Sequence, residues 1–328
     1  MHKIIIAGCG GISNAWINVL LKRGDAKIAG LADILPQRAV SQNEKYGLGC
    51  NTYASLTEAL AGEPDADIVI DNTPPDRHRQ IVTEALRAGR HVFGEKPMSD
   101  NLEDAEAMVA CAAKTGKKYF VMQNYRYNAQ ITSLRDFLAS GELGRVGHIK
   151  ADFFTGPRFG GFRDEMGSPL IADMAIHTFD EARYITGADA KSVYCHEYNP
   201  MWSWYRGAAC ASAVFEMTSG IVFGYHGSWC ALGLNTSWNA EWHILCEKGS
   251  AAWVGPRLEY QTESGEVRPV PFKPYERGEG HESCIDDMFC ALQNGTEPPT
   301  GCGSNINSVR MVMKAQESAK SKAKICIA

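Results

Sequence analysis

Along the first 120 residues the apolar positions alternate between two spacings. Short unbroken runs, such as Ile4-Ile5-Ile6-Ala7 and residues 27–32, 66–71 and 90–93, read as strands buried on both faces of a parallel sheet. Between them the apolar residues recur three and four apart. Ile12, Ala15, Trp16, Val19 and Leu20 form one helical stripe, which Gly24 closes; Ile81, Val82, Ala85 and Leu86 form another, closed by Gly89. Pro36 suits a first helical turn, Ser55-Leu56-Thr57-Glu58 reads as a capping box, and Ser99 or Asp100 caps a helix reaching about residue 115. Residues 118–124 are strand-like again.

Beyond Asn124 the rhythm changes. Ile131, Leu134, Phe137 and Leu138 mark a helix ending at Gly141, a strand follows at 146–154, and a second helix spans about 172–186. Residues 190–262 then hold strand-like runs at 209–217, 221–229 and 241–247 without helices between them, the pattern of an antiparallel sheet. A helix over about 306–321 and a strand at 324–327 finish the chain.

Two glycine-rich and acidic signals give the first half a chemistry. Gly8-Cys9-Gly10-Gly11-Ile12-Ser13 follows a strand and opens a helix, the context in which such a run binds a dinucleotide. Gly8 permits a tight turn, Gly10 a close approach to pyrophosphate, and the helix start presents free N–H groups to the anion. Asp33 ends the second strand, 20 residues past Ser13, where a carboxylate accepts hydrogen bonds from an adenosine ribose. That negative charge favours NAD(H) over NADP(H), although Arg38, five residues on, is a group that can hold a phosphate. The expected fold class is therefore α/β: a Rossmann NAD-binding domain over 1–122, then a substrate-binding and oligomerisation domain over 123–328. That second part is α+β, with a large, mostly antiparallel open sheet whose second face needs covering, which predicts a homodimer or homotetramer.

Composition narrows the partners. Thirty-three Lys and Arg against 38 Asp and Glu leave a formal charge of −5, without the basic excess expected for nucleic acid. No apolar run approaches the ~20 residues needed to span a bilayer, so no membrane partner is expected. The N-terminal run is too short for a secretory signal. Eleven scattered cysteines include no Cys-x-x-Cys pair, and Cys195-His196 would point to opposite faces of a strand, so no metal site is expected. Reduced thiols in a cytoplasmic protein are the simpler reading.

Two further constellations carry candidate chemistry. Glu95-Lys96-Pro97 falls at the end of a predicted strand, where open α/β sheets bind ligands; alone, a lysine there is more often a solvated surface residue. Asp173, His177 and Asp180 lie at i, i+4 and i+7 on a predicted helix, one face of which then offers a carboxylate beside an imidazole. On spacing alone this is also an ordinary polar pair. Arg126, at the exit of the first domain, and Arg158 and Arg163, in a Gly-rich loop ahead of that helix, are candidates for substrate binding. The aromatic run Met201-Trp202-Ser203-Trp204-Tyr205 suits either a sugar face or an interface.

Taken in order, Gly8-Cys9-Gly10-Gly11, Asp33, Thr73-Pro74 with His78, Glu95-Lys96-Pro97 and Asp173-x-x-x-His177 resemble the glucose-fructose oxidoreductase / inositol dehydrogenase / MocA family. The resemblance spans nearly the whole chain; Ala175 and the Gly167-Ser168-Pro169 stretch depart from its usual pattern on the substrate side. It implies that Lys96 contacts both nicotinamide ribose and the reacting oxygen, with Asp173 and His177 completing the catalytic set and His177 as acid/base. It also implies that Thr73, Pro74, His78 and Glu95 line the cofactor, together with Gly8, Gly10, Gly11, Ile12, Ser13 and Asp33, and that the Lys96–Pro97 peptide is cis. Substrate would meet Lys96, Arg126, Arg158, Arg163, Asp173 and His177. The activity implied is NAD-dependent oxidation of a secondary hydroxyl of a sugar, glycoside or cyclic polyol, or reduction of the ketone. Two readings stand beside it: an NAD-dependent glycoside hydrolase working by transient oxidation and elimination, and an NAD-binding regulator without catalysis.

Overall fold

A computed structural model describes residues 1–327. The chain forms two compact units, Met1–Asn124 with Arg277–Ile306, and Tyr125–Glu276 with the stretch from Asn307 on. The first break thus falls two residues past the expected boundary at 122. A segment expected in the second half belongs to the first.

In the first unit, β1 (His2–Ala7), β2 (Ala26–Ala32), β3 (Asn51–Tyr53), β4 (Ile68–Asp71), β5 (His91–Gly94) and β6 (Tyr119–Val121) form a parallel sheet in the order β3-β2-β1-β4-β5-β6. The strands alternate with α1 (Ser13–Leu20), α2 (Pro36–Tyr46), α3 (Leu56–Gly62), α4 (Pro75–Arg87) and α5 (Leu102–Thr115). The order reverses between β1 and β4, and ligands bind at the carboxyl edge of such a switch point. Ile4, Ile5 and Ile6 are fully buried, which explains the unbroken apolar run of β1. Local capping agrees with the sequence in α3, where Ser55 Oγ accepts from Glu58 N at 3.2 Å. It differs in α5: Asn101 is the cap, its side chain accepting from Asp104 N at 2.9 Å, while Ser99 Oγ accepts from Asn101 N.

The second unit opens with a 3₁₀ turn, Asn124–Tyr127, and α6 (Ala129–Ala139). It continues through β7 (Val146–Phe154) and the short α7 (Phe162–Glu165). A π-helical stretch, Leu170–Ala175, then runs into α8 (Ile176–Thr186). Its sheet adds β8 (Ala190–Tyr198), β9 (Cys210–Met217), β10 (Val222–Ser228), β11 (Glu241–Cys246), β12 (Gly249–Val254), β13 (Arg257–Thr262), β14 (Arg268–Pro269) and β15 (Ile325–Cys326). The order is β14-β13-β12-β11-β7-β10-β9-β8-β15, antiparallel throughout except for the parallel pair β7 and β10. One face is the core: Phe179 of α8 packs edge-on against Phe215 and Tyr225 at 4.8 and 5.2 Å between centroids. Each such buried side chain contributes about 1.5–3 kcal/mol. The other face exposes Tyr194, Tyr198, Val214 and Leu245. Cys195 is buried while His196 is exposed, as strand alternation requires.

Two helices complete the chain, α9 (His281–Asn294) in the first unit and α10 (Cys302–Ser321), which begins four residues ahead of its expected start. No element was expected at α9, although Cys284, Ile285, Met288 and Phe289 are spaced for a helix and all buried. Among the described residues no helix is long and apolar enough to cross a membrane.

Candidate active site

The glycine loop is shaped for an anion. Gly8 has φ +90°, and a Cβ there would lie 2.7 Å from the Asn72 carbonyl carbon and oxygen and 2.9 Å from Thr73 N, so the β1 and β4 loops touch where only glycine fits. Gly10 and Gly11, by contrast, have nothing within 4 Å of where a Cβ would stand: they open onto free space at the start of α1. Ser13 is fully buried, its Oγ donating to Gly10 O at 2.6 Å, and so pins the loop from beneath. Burial, with Asp33 adding to it, pushes the Cys9 thiol up to about 12, so it brings no negative charge to the loop.

Asp33 is held at the lip of this loop. Its Oδ2 accepts from Cys9 N and its Oδ1 from Leu35 N, both at 2.8 Å. A carboxylate has about four acceptor sites, so capacity for ribose hydroxyls remains. These residues fit a dinucleotide: an open cradle of backbone N–H groups, a helix start and a preset carboxylate. Gly8→Ala is expected to cost roughly 1–3 kcal/mol through its left-handed backbone alone. It should also weaken NAD binding about tenfold or more, read by fluorescence titration.

Further along the same edge, Thr73 N and Oγ1 both donate to Asp71 Oδ1, at 3.0 and 2.6 Å. His78 is buried, its Nε2 2.7 Å from Thr73 O and its Nδ1 3.1 Å from Pro97 O. It clasps the β4 and β5 loops together from inside. Glu95 also faces inward, accepting from Trp16 Nε1 at 2.7 Å and Lys96 N at 3.2 Å, and burial pushes its carboxyl above the usual range. Lys96 itself is half-buried, and the Lys96–Pro97 bond is cis. His78 and Glu95, expected to line the cofactor, each brace the loops at this edge from inside.

In the second unit the spacing argument holds only in part. Asp173 lies within the π-helical stretch and His177 within α8, so an α-helical i, i+4 register does not run through both. Asp173 Oδ2 accepts from Arg163 Nε at 2.6 Å. His177 is buried and lies flat against Tyr125, ring centroids 3.9 Å apart and 17° from parallel. Burial, with Glu181 and Asp173 adding to it, pushes the Tyr125 phenol up to about 12, so this partner stays neutral while fixing the imidazole plane.

Asp180 is fully buried and accepts from Arg126 Nε at 2.7 Å, from Arg126 Nη2, and from Ser308 Oγ at 2.7 Å. Arg126, expected to bind substrate, is itself 3% exposed. Its charge is held inside the fold, where a buried guanidinium needs a carboxylate. Arg158 remains exposed, stacked on Trp204 at 3.9 Å, and Arg163 lies over Phe162 at 4.7 Å. Tyr125, Trp16 and His281 are the residues that sequence reasoning missed. Trp16 read as a core position and His281 lies in the helix without an expected element.

A parallel sheet in this strand order, with a glycine-rich turn after its first strand and a carboxylate after its second, is the architecture of a dinucleotide-binding domain. A sequence profile described as "Oxidoreductase family, NAD-binding Rossmann fold" matches residues 2–123, and one described as "GFO/IDH/MocA C-terminal domain" matches residues 131–252. The chain belongs to the GFO/IDH/MocA family. It is 27% identical to the uncharacterised protein y4oX of Sinorhizobium fredii, over 97% of this chain and 94% of the relative. It is 23% identical to an inositol 2-dehydrogenase of Rhizobium meliloti, over 98% of each. An oxidoreductase of Agrobacterium radiobacter, solved with NAD+, L-tartaric acid and magnesium, shares the fold at TM-score 0.90 and 22% identity, over 99% of this chain and 98% of that one.

Proposed function

We propose that the protein oxidises a secondary hydroxyl of a sugar, glycoside or cyclic polyol with NAD, or reduces the corresponding ketone. The observation carrying this reading is that Lys96 emerges from β5 at the same carboxyl edge as Gly8 and Asp33, beside the strand-order reversal. Family membership and the full-length likeness to an inositol 2-dehydrogenase support it. Asp33, with both oxygens already drawing backbone N–H groups, favours NAD over a 2′-phosphorylated cofactor.

In this reading the loop from Gly8 to Ser13 holds the pyrophosphate, Asp33 the adenosine ribose, and Thr73 and Pro74 the cofactor's inner side. When bound, the nicotinamide supplies the hydride acceptor. Lys96, as an ammonium, stabilises the negative charge that develops on the substrate oxygen. His177 accepts the hydroxyl proton, its plane held by Tyr125. Asp173 offsets and orients Arg163, and Arg158 presents its guanidinium from the Trp204 ring toward substrate. The exposed face of the second sheet supports a homodimer or homotetramer.

A panel of sugars, glycosides and cyclic polyols incubated with NAD and followed at the NADH absorbance tests the reaction. Formation of NADH with at least one polyol is the expected result. Sugar release from glycosides without net NADH would assign the glycoside hydrolase instead, and binding of NAD with neither outcome would leave a regulator.

A further inference from the structure

The stretch Gly167-Ser168-Pro169, which departs from the family pattern, leads directly into the π-helical residues that carry Asp173. It is docked on the second sheet and its loops by built contacts. A Cβ at Gly207 would collide with the Gly167 carbonyl, and Ala208 N donates to Gly167 O at 2.8 Å. Leu170 lies over β10, its Cδ2 3.0 Å from where a Gly227 Cβ would stand. Between these two points Ser168 Oγ donates to Glu197 Oε2 at 3.1 Å, across 29 residues of chain. Ala172 N in turn donates to Ser168 O at 3.0 Å, so Ser168 begins the turn that leads to Asp173.

Glu197 is a costly residue to place there. It stands on the inward side of β8, between the exposed His196 and Tyr198 and opposite Ala211 of β9. Its second oxygen, Oε1, is buried and has no hydrogen-bond partner. One hydroxyl is a small share of the four or so donors that a carboxylate can accept. Burial accordingly pushes the carboxyl up to about 7, against the pull of the Ser168 hydroxyl. Its ionisable neighbours are neutral or already paired. Burial, with Glu197 adding to it, pushes the Cys195 thiol up to about 12, and burial holds the Tyr225 phenol of β10 well above its usual range. On the segments above, Arg163 pairs with Asp173 and Arg206 with Glu165. From the far side α10 meets β8 through Ser318 Oγ, which accepts from Cys195 N, and Glu317 beside it pairs with Lys314.

We propose that Glu197 is a positioning residue for Asp173: as a neutral acid bonded to Ser168 it fastens residues 167–169 to β8, and on ionising it releases them to water. Closed, the carboxyl binds its proton more tightly than it does in water. Opening of the segment is therefore resisted most at low pH, grows as pH rises from about 4.5, and levels off above about 7. The two limits differ by roughly 10²-fold in the opening equilibrium. The catalytic meaning of this anchor rests on the function proposed above; the opening of the segment does not.

Hydrogen exchange of the full-length protein between pH 5 and 8, resolved to single amides by mass spectrometry and corrected for the intrinsic effect of pH, tests it. The amides to follow are Ala172 and Ala208, whose acceptors are Ser168 O and Gly167 O. In the wild type their protection is expected to fall roughly 50-fold over that range. In Glu197→Gln, which cannot ionise, protection should be level with pH and close to the wild-type value at pH 5. Ser168→Ala keeps the carboxyl and removes its partner, and should lower protection at pH 5 by about 2–10-fold. Where NADH formation is measurable, kcat of Glu197→Gln relative to wild type should rise with pH over the same interval, with the KM for NAD unchanged. Level protection in the wild type, an equal fall in Glu197→Gln, or unaltered protection in Ser168→Ala would each overturn the proposal. A failure to form NADH with any polyol would strike the proposed reaction and leave the exchange result standing.

Discussion

Lys96→Ala and His177→Ala are each expected to lower turnover by about 10²–10⁴-fold, the range for loss of a well-placed acid/base or charge-stabilising group. NAD affinity should stay within a few-fold, because the cradle that would hold it is made by Gly8, Gly10 and Asp33 on other strands. Initial rates by NADH absorbance, paired with a fluorescence titration of NAD, separate the two effects. The direction of failure is informative for each residue. For Lys96, partial rescue by Arg would point to charge alone. For His177, the low-pH limb of the profile should be lost in the residual activity, since an imidazole no longer has to shed its proton before accepting one from the substrate. Near-normal rates in either variant would remove the residue from the mechanism.

The second large effect lies in stability. Asp180→Ala should cost about 3–5 kcal/mol, because it leaves the Arg126 guanidinium buried without its carboxylate. That is a sizeable share of the 5–15 kcal/mol by which proteins are generally stable. A fall in melting temperature on the order of 10 °C follows, measurable by calorimetry. Replacing both partners by apolar residues of similar volume, Arg126→Met with Asp180→Leu, should recover most of the loss, since the Arg126 charge is then gone and Arg183, 3.7 Å from Asp180, keeps its pair with Asp189. Arg158→Met, at an exposed site, should leave the melting temperature nearly unchanged. Equal and small losses from Asp180→Ala and Arg158→Met would mean that Arg126 is not the internal strut described here.

Legibility from sequence followed the range of the interactions. The glycine loop and Asp33 could be read because strand, turn, helix and second strand are contiguous, and the bond from Cys9 N to Asp33 closes over only 24 residues. The parallel sheet of the first unit follows from that same alternation. The helix of Asp173 and His177 could be read as a helix, but a π stretch has no distinct apolar period, so the partner of Asp173 emerged only with Arg163 in place. Arg126 reads as a substrate candidate because it stands at the exit of the first domain. Its burial depends on Asp180, 54 residues away. Trp16 bonds Glu95 across 79 residues, and His281 reaches the same carboxyl from farther still. Those meetings are properties of packing, and no local pattern announces them.

The return of residues 277–306 to the first unit has a consequence for synthesis. The edge strand β6 is covered by that return: Val121 N donates to Thr300 O at 3.0 Å, and Phe120 forms a bridge with Gly301. About 180 residues must leave the ribosome between β6 and its cover. At ~5–20 residues per second this is roughly 10–40 s during which the nascent sheet shows an open edge to its neighbours on the polysome. A truncated message ending before codon 277 would make that exposure permanent, and its product should be a ready client for chaperones.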